Sequence, residues 1–263
     1  MPAQAFPLPA LGALRVAGED ARSFLQNQLS SDLDDVTDMR GQLSAWHDPK
    51  GRVLAFLRVL PSPQGFLLVM HADLVATVEK RMRLFVLRAK VTLEAGPPVH
   101  GLAAGDAAGL FAASGLATED APLAAACDET LSILRMPGEA GWLLVGEAAL
   151  PVASSDAAVT AWERAEIEAG LPEVYPATSG QFVAQMINLD HLGAVSFTKG
   201  CYPGQEIVAR AHHLGRVKRR MQLFRIAGPA PEPGGTLDEA GGTVVRAASG
   251  APDTLVLAVV AAG

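Results

Sequence analysis

SFTKGCYPGQEIVARA, Ser196 to Ala211, carries one of the chain's two cysteines, with Lys199 two places before it, glycines at 200 and 204, and Gln205–Glu206 after it. Pro203 biases Tyr202 toward extended geometry. Pro203–Gly204 suits the two central positions of a type II turn, where glycine accepts positive φ. Ala194–Phe197 reads as a short β-type run, and regular structure resumes at Gln205, so Lys199 to Gly204 is predicted to be a tight loop. If the chain is extended there, Lys199 and Cys201 share a face, because alternate side chains do. An ammonium beside a thiol favours the thiolate, as does a helix N-terminus just beyond it. Gly200 and Gly204 leave room for a ligand against the backbone. The same residues also fit a small buried cysteine beside a structural turn, and physics alone leaves the two readings level. His212 and His213 are close enough in sequence to reach Cys201, but neighbouring histidines on a strand face opposite ways. One Cys and one His leave a metal site short of ligands, so no metal is expected. Without a Cys–His–Asn pattern, an acyl-transfer nucleophile is weakly supported.

The sequence around this loop is that of a globular α+β protein. Of 263 residues, 49% are apolar and 19% charged, which excludes a disordered chain and is ample for a core. The start, MPAQAFPLPALG, has no basic region and is broken by prolines, unlike a secretory signal. The late apolar run Leu255–Ala262 is far shorter than the ~20 residues of a membrane helix. Two cysteines, at 127 and 201, make neither a zinc pattern nor a disulfide framework, so a reducing cytoplasm is expected. The net charge of −7 argues against a general nucleic-acid binder. Yet between 199 and 220 six cations (Lys199, Arg210, Arg216, Lys218, Arg219, Arg220) face one acid, Glu206. Such a basic zone suits a specific anionic ligand or partner, or equally a charged strand edge.

The element order is read as follows. A strand spans 10–16, and a helix opens at Gly18–Asp20, with Ala21, Phe24, Leu25, Gln28 and Leu29 on one face. DPKG (Asp48–Gly51) is a turn leading into the strand RVLAFLRVL; PSPQG turns back into FLLVM. Asp73 is expected to cap a helix burying Leu74, Val78, Met82, Phe85 and Val86. KVTLE (Lys90–Glu94) is a strand, and AGPPVHG (Ala95–Gly101) reads as a linker or crossover. A helix around 104–115, the strands TLSILRM and GWLLVG, and a helix opened by Ser155–Asp156 and closed by Gly170–Pro172 follow. The order strand, helix, strand, strand, helix thus occurs twice, predicting two α+β units over about 1–95 and 96–215, open to interleaving. Residues 216–263 read as a small β unit; from Arg219 it holds about 45 residues, too few to fold alone.

KGCYPGQEIVAR resembles the K-G-C-[FY]-x-G-Q-E signature of the YgfZ-type folate-binding proteins, relatives of the glycine cleavage aminomethyltransferase, or T-protein. LRVAGEDARSFLQNQLSSDL, SAWHDPKGRVLAFLRVL and the stretch from WERAEIEAG to RVKRR are similar to the same family, so the resemblance spans about 10–263. It implies intertwined α+β units with a C-terminal barrel-like unit in a ring around a folate-sized channel, the last unit shorter here than in typical relatives. It implies tetrahydrofolate as ligand and a role in making or repairing iron–sulfur proteins, with iron–sulfur client or assembly proteins as partners. Cys201, Lys199, Gln205 and Glu206 are the implied catalytic group. Trp162 stands where the family places a folate-contacting tryptophan, and Leu11 where some relatives carry another; Gly200, Tyr202, Gly204 and Arg210 complete the implied binding set. Two departures matter. The T-protein's catalytic aspartate lies in a segment that here reads GRVLAF, with Ala55 and Phe56 at the carboxylate positions, so no glycine-cleavage activity is expected. Glu166 stands where many T-protein-like chains have arginine. The alternatives are a folate-dependent one-carbon enzyme with another acceptor, or a tRNA-related protein using RVKRR.

Overall fold

The computed structural model describes residues 4–147, 149–213, 217–237 and 241–262. Arg216 of the basic zone lies outside the described residues. The first half builds strands β1 (Phe6–Pro7), β2 (Leu11–Ala17), β3 (Gln42–His47), β4 (Val53–Ser62), β5 (Gly65–His71), β6 (Thr92–Ala95) and β7 (Val99–Leu102), with helices α1 (Ala21–Gln26) and α2 (Ala72–Val86). Next come α3 (Ala107–Ser114), β8 (Ala125–Cys127), β9 (Leu131–Arg135), β10 (Trp142–Gly146) and α4 (Asp156–Glu168). After the cysteine loop follow α5 (Gln205–His213), β11 (Arg219–Ile226), β12 (Thr236–Leu237), β13 (Gly242–Ala248) and β14 (Thr254–Ala261).

The strands form three antiparallel sheets, ordered β3-β4-β5-β2-β6, β8-β9-β10-β7-β1 and β11-β14-β13-β12. The first two have one topology: three strands in chain order, then the strand that precedes them, then an edge. The doubling expected from the sequence is there, but each unit holds three strands between its helices, not two: β3, buried along its whole length, and β8, only three residues long, show no alternation and were not expected. The edges differ in origin. β6 follows its own unit, whereas the second sheet takes its edge, β1, from the N-terminus, so the two units are intertwined. AGPPVHG is not a pure linker, since Val99–Leu102 form the strand that pairs with β1 and β10.

Period-2 alternation sets the layers. Leu143 and Val145 of β10 enter the main core, while Trp142 and Leu144 enter a second core with Leu110 of α3. Likewise Leu255, Leu257 and Val259 of β14 join the main core, and Val256 and Ala258 a small outer one. The C-terminal sheet, a half-barrel, thus shares its core with the rest of the molecule. α4 packs on it, with Arg164 Nη2 on Asp253 Oδ1 at 2.9 Å and Arg225 joining Glu168 and Asp253.

Local signals explain most boundaries. Ser155 Oγ accepts from the Ala158 N–H at the start of α4, and Gly170 at φ +71° ends it. α2 differs from expectation: His71 Nδ1, not Asp73, accepts from the Asp73 N–H, which puts Asp73 inside the first turn. Phe85 does not join the buried face either; it is 49% exposed. α1 is short, and Gln28 and Leu29 reach the core from the turn after it. Ala194–Phe197 forms no strand, and the hairpin strand runs on to Ser62 before turning.

Candidate functional site

Where α4, the start of β2 and β13 converge there is a small pocket, with about 30 Å³ of room inside it, lined by Leu11, Val159, Trp162, Glu163, Tyr175 and Arg246 among others. Leu11 and Trp162, both expected from the family resemblance to contact ligand, line one cavity. Trp162 is 2% exposed, and Phe6 meets it edge-on, with ring centroids 6.1 Å apart. Its indole Nε1–H has no partner among the described residues.

The cavity's polar wall is a buried ion cluster. Arg58, in the middle of β4 and wholly buried, donates from Nη2 to Glu166 Oε1 at 2.8 Å and from Nη1 to Glu173 Oε2 at 3.0 Å. Arg246 Nη2 donates to Glu166 Oε2 at 2.7 Å. Burial pushes the Glu166 carboxyl up, but the two arginines outweigh it and hold the carboxyl below its ordinary value. Two cations and two anions offset one another there, which is what permits their burial. This accounts for Glu166 in place of arginine: the positive charge is supplied from β4 and β13 instead of α4. The Nη1 of Arg246 is left over, buried and without a partner among the described residues. Burial also raises the Glu163 carboxyl and pushes the Tyr175 phenol up to about 12. The cavity therefore offers two unfilled N–H donors, a carboxyl acceptor and apolar walls. A few convergent polar groups among apolar walls are the make-up of a small-ligand site, although the room inside is that of about one water.

The cysteine loop is built differently. The Gln205 N–H donates to the Tyr202 carbonyl at 3.2 Å across Pro203–Gly204, and Gly204 has φ +81°, the geometry of the expected type II turn. Gly204 packs on the DPKG turn: a Cβ on it would lie 2.5 Å from the Asp48 carbonyl oxygen and 2.6 Å from the Gly51 Cα. The two most specific motifs of the sequence are thus adjacent, backbone against backbone. Gly204 serves this packing and leaves no room for ligand; beside Gly200 the space is open.

Cys201 is exposed, and Lys199 is not its neighbour on one face. The Lys199 ammonium turns inward, only 8% exposed, and donates to the carbonyls of Leu29 at 2.9 Å and Ser31 at 2.7 Å. Burial pulls it down to about 8. Lys199 pins the loop to the turn after α1. Gln205 Nε2 donates to the Lys199 carbonyl at 3.4 Å, bracing the same loop. Glu206 pairs with Arg210 at 2.8 Å on the exposed side of α5. Tyr202 is buried, with no partner for its hydroxyl, its ring 5.9 Å from that of His47. His47 is 1% exposed, both its nitrogens lack partners, and burial lowers it to about 4, so it is neutral. His212 and His213 lie on a helix, not a strand, and His212 stacks on Phe197 at 3.8 Å. Among the described residues no cluster of three His, Cys, Asp or Glu could hold a metal.

The expected ligand set is thus divided. Trp162 and Leu11 line the cavity; Gly200, Tyr202, Gly204 and Arg210 belong to the loop and helix. Arg246, Tyr175 and Glu163 were not expected in the site; they sit far from Trp162 or Leu11 in sequence or carry no motif. The basic zone is not one surface either. Lys199 and Arg210 are engaged as described, and Arg220 pairs bidentately with Asp190. Arg219 instead lines a cleft of about 760 Å³ with Lys50 and Arg52.

No protein-family model matches the chain. Against the tRNA-modifying protein YgfZ of Klebsiella pneumoniae (strain 342) it is 34% identical over 236 residues, covering 85% of this chain and 72% of that protein. Against the protein of the same name from Edwardsiella ictaluri (strain 93-146) it is 32% identical over 232 residues, covering 82% and 69%. The structure of the glycine cleavage system aminomethyltransferase T from Bartonella henselae superposes with a TM-score of 0.75 over 98% of this chain and 78% of that one, at 16% identity. That likeness establishes the fold.

Proposed function

The chain belongs to the YgfZ family, and from that premise we propose that it is a folate-binding accessory factor for the synthesis or repair of iron–sulfur proteins, acting through the Cys201 thiol. The observation that carries the reading is the cavity. Its unpartnered Trp162 Nε1–H and Arg246 Nη1–H suit the carbonyl and ring-nitrogen acceptors of a pterin, and Glu163 suits its amino edge. Leu11 and the Trp162 ring supply the apolar walls. Folate would bring a one-carbon or redox-active ring; the protein binds and orients it. Ala55 and Phe56 are fully buried in β4, so those positions present no carboxylate, which favours an accessory role over aminomethyl transfer. An exposed thiol is suited to the reducing cytoplasm. Iron–sulfur client or assembly proteins are the partners of this reading.

The test is rescue of iron–sulfur enzyme activity in a bacterium deleted for its own family member. The wild-type chain is expected to restore activity, and Cys201→Ala to fail although it folds. Full rescue by Cys201→Ala removes the thiol from the mechanism; no rescue by the wild type removes the iron–sulfur reading.

A second reading has one observation in its favour. The relatives are named for tRNA modification, and the cleft holding Lys50, Arg52 and Arg219 has the charge for a phosphate backbone. Binding of tRNA that weakens steeply with salt, and is lost when these three are neutralised, supports it.

A further inference from the structure

The end of α2 carries a feature that neither the cavity nor the loop explains. Leu84, Phe85 and Leu87 are 72%, 49% and 88% exposed, three large apolar side chains within four residues. Such a patch on a protein surface marks an interaction site more often than chance. Leu87 has φ +47° and ψ −103°, a conformation that a leucine rarely adopts and that carries strain. The strain and the exposure both oppose folding, and the lone molecule gains nothing visible from either.

The surroundings define the occupant. Residues 79–90 hold five cations (Lys80, Arg81, Arg83, Arg88, Lys90) against one acid, Glu79, on a chain of net charge −7. Arg83 pairs with Glu79 and Lys90 with Glu19, while Lys80 and Arg88 have no ion pair among the described residues. A groove of about 360 Å³ runs between the helix end and the following segment, lined by Arg83, Leu84, Val86, Leu87, Val91 and Leu93. Leu93 belongs to β6, the edge strand of the first sheet, and Arg83 donates to its carbonyl, tying the helix end to that edge.

We propose that this groove binds an acidic peptide segment of a partner protein, laid along the β6 edge with large apolar side chains in the groove. The surplus of cations selects an acidic sequence. The concave apolar floor beside the edge strand, whose Leu93 carbonyl is already taken by Arg83, suits an extended peptide held by its side chains, and not a flat bilayer surface.

The full chain is titrated by fluorescence anisotropy with three labelled ten-residue peptides. One alternates glutamate with leucine and phenylalanine; the second has lysine for glutamate; the third has serine for the apolar residues. The first is expected to bind with a Kd of roughly 10–100 µM, and the others at least about tenfold more weakly. Leu84→Ser and Arg88→Glu each weaken the first peptide about fivefold or more, and raising salt from about 50 to about 200 mM weakens it further. Leu87→Gly weakens it as well but leaves Tm unchanged or higher, because glycine relieves the strained φ, a combination that a merely structural leucine would not give. Equal binding of the three peptides, or binding unmoved by these substitutions, overturns the proposal. So does binding only to phosphatidylcholine vesicles containing phosphatidylglycerol, or a sedimenting dimer abolished by Leu87→Gly.

Discussion

The cavity beside Trp162 and the loop around Cys201 are opposite solutions to placing chemistry in a protein. The cavity wall is buried: Arg58, Glu166, Glu173 and Arg246 are all inside, and each is held by charge from another element. The loop is presented outward, with Cys201 exposed, and is held by backbone contacts through Gly204, Gly51 and the Lys199 ammonium. No residue from 199 to 206 lines the cavity. On the proposed reading, recognition and reactivity are separated: the interior wall would take a flat ligand, while the thiol faces solvent. Such a separation would suit an accessory factor better than a one-pocket transferase.

The largest effect is expected inside the cavity wall. Glu166→Ala strands the buried Arg246 guanidinium and leaves Arg58 with Glu173 alone, and should cost about 3–5 kcal/mol, measured by urea denaturation. If it costs under about 1 kcal/mol, the cluster is not what holds the wall. Beneath the loop, His47 is neutral when folded, near pKa 4, against 6.5 when free. The unfolded chain therefore binds more protons between those values, and stability falls as pH drops from 6.5 to 4. The loss should approach about 3 kcal/mol, and His47→Leu should flatten that limb of the profile. Gly204→Ala brings a Cβ to 2.5 Å from the Asp48 carbonyl oxygen at φ +81°, so about 2 kcal/mol or more is expected, with proteolysis appearing at the loop. Cys201→Ser, by contrast, should change stability by under ~0.5 kcal/mol, since the side chain is exposed.

Sequence made the loop more legible than the cavity. The turn at Pro203–Gly204 and the cap at Ser155 are set by neighbours two or three residues away, and both are seen in the structure. The doubled order of elements was readable for the same reason. The cavity depends on pairs such as Arg58 with Glu166, 108 residues apart, which no local pattern encodes. Trp162 and Leu11 could be singled out only by family resemblance. β1 is two residues long and carries no periodicity; only the vacant edge beside β7 makes it a strand. Lys199 was misjudged because alternation assumes an extended chain, whereas two carbonyls after α1 draw its ammonium inward. Phe85 was misjudged because helical spacing alone does not tell which apolar side chains reach the core and which stay at the surface.

The separation of recognition from reactivity is tested most directly by isothermal titration of tetrahydrofolate into the wild-type chain, Trp162→Phe and Cys201→Ala. Trp162→Phe loses the cavity's indole donor while keeping an aromatic wall, and should bind about tenfold more weakly. Cys201→Ala should bind like the wild type. Binding lost in Cys201→Ala and retained in Trp162→Phe would contradict the assignment of the ligand to the cavity and of the thiol to a separate surface.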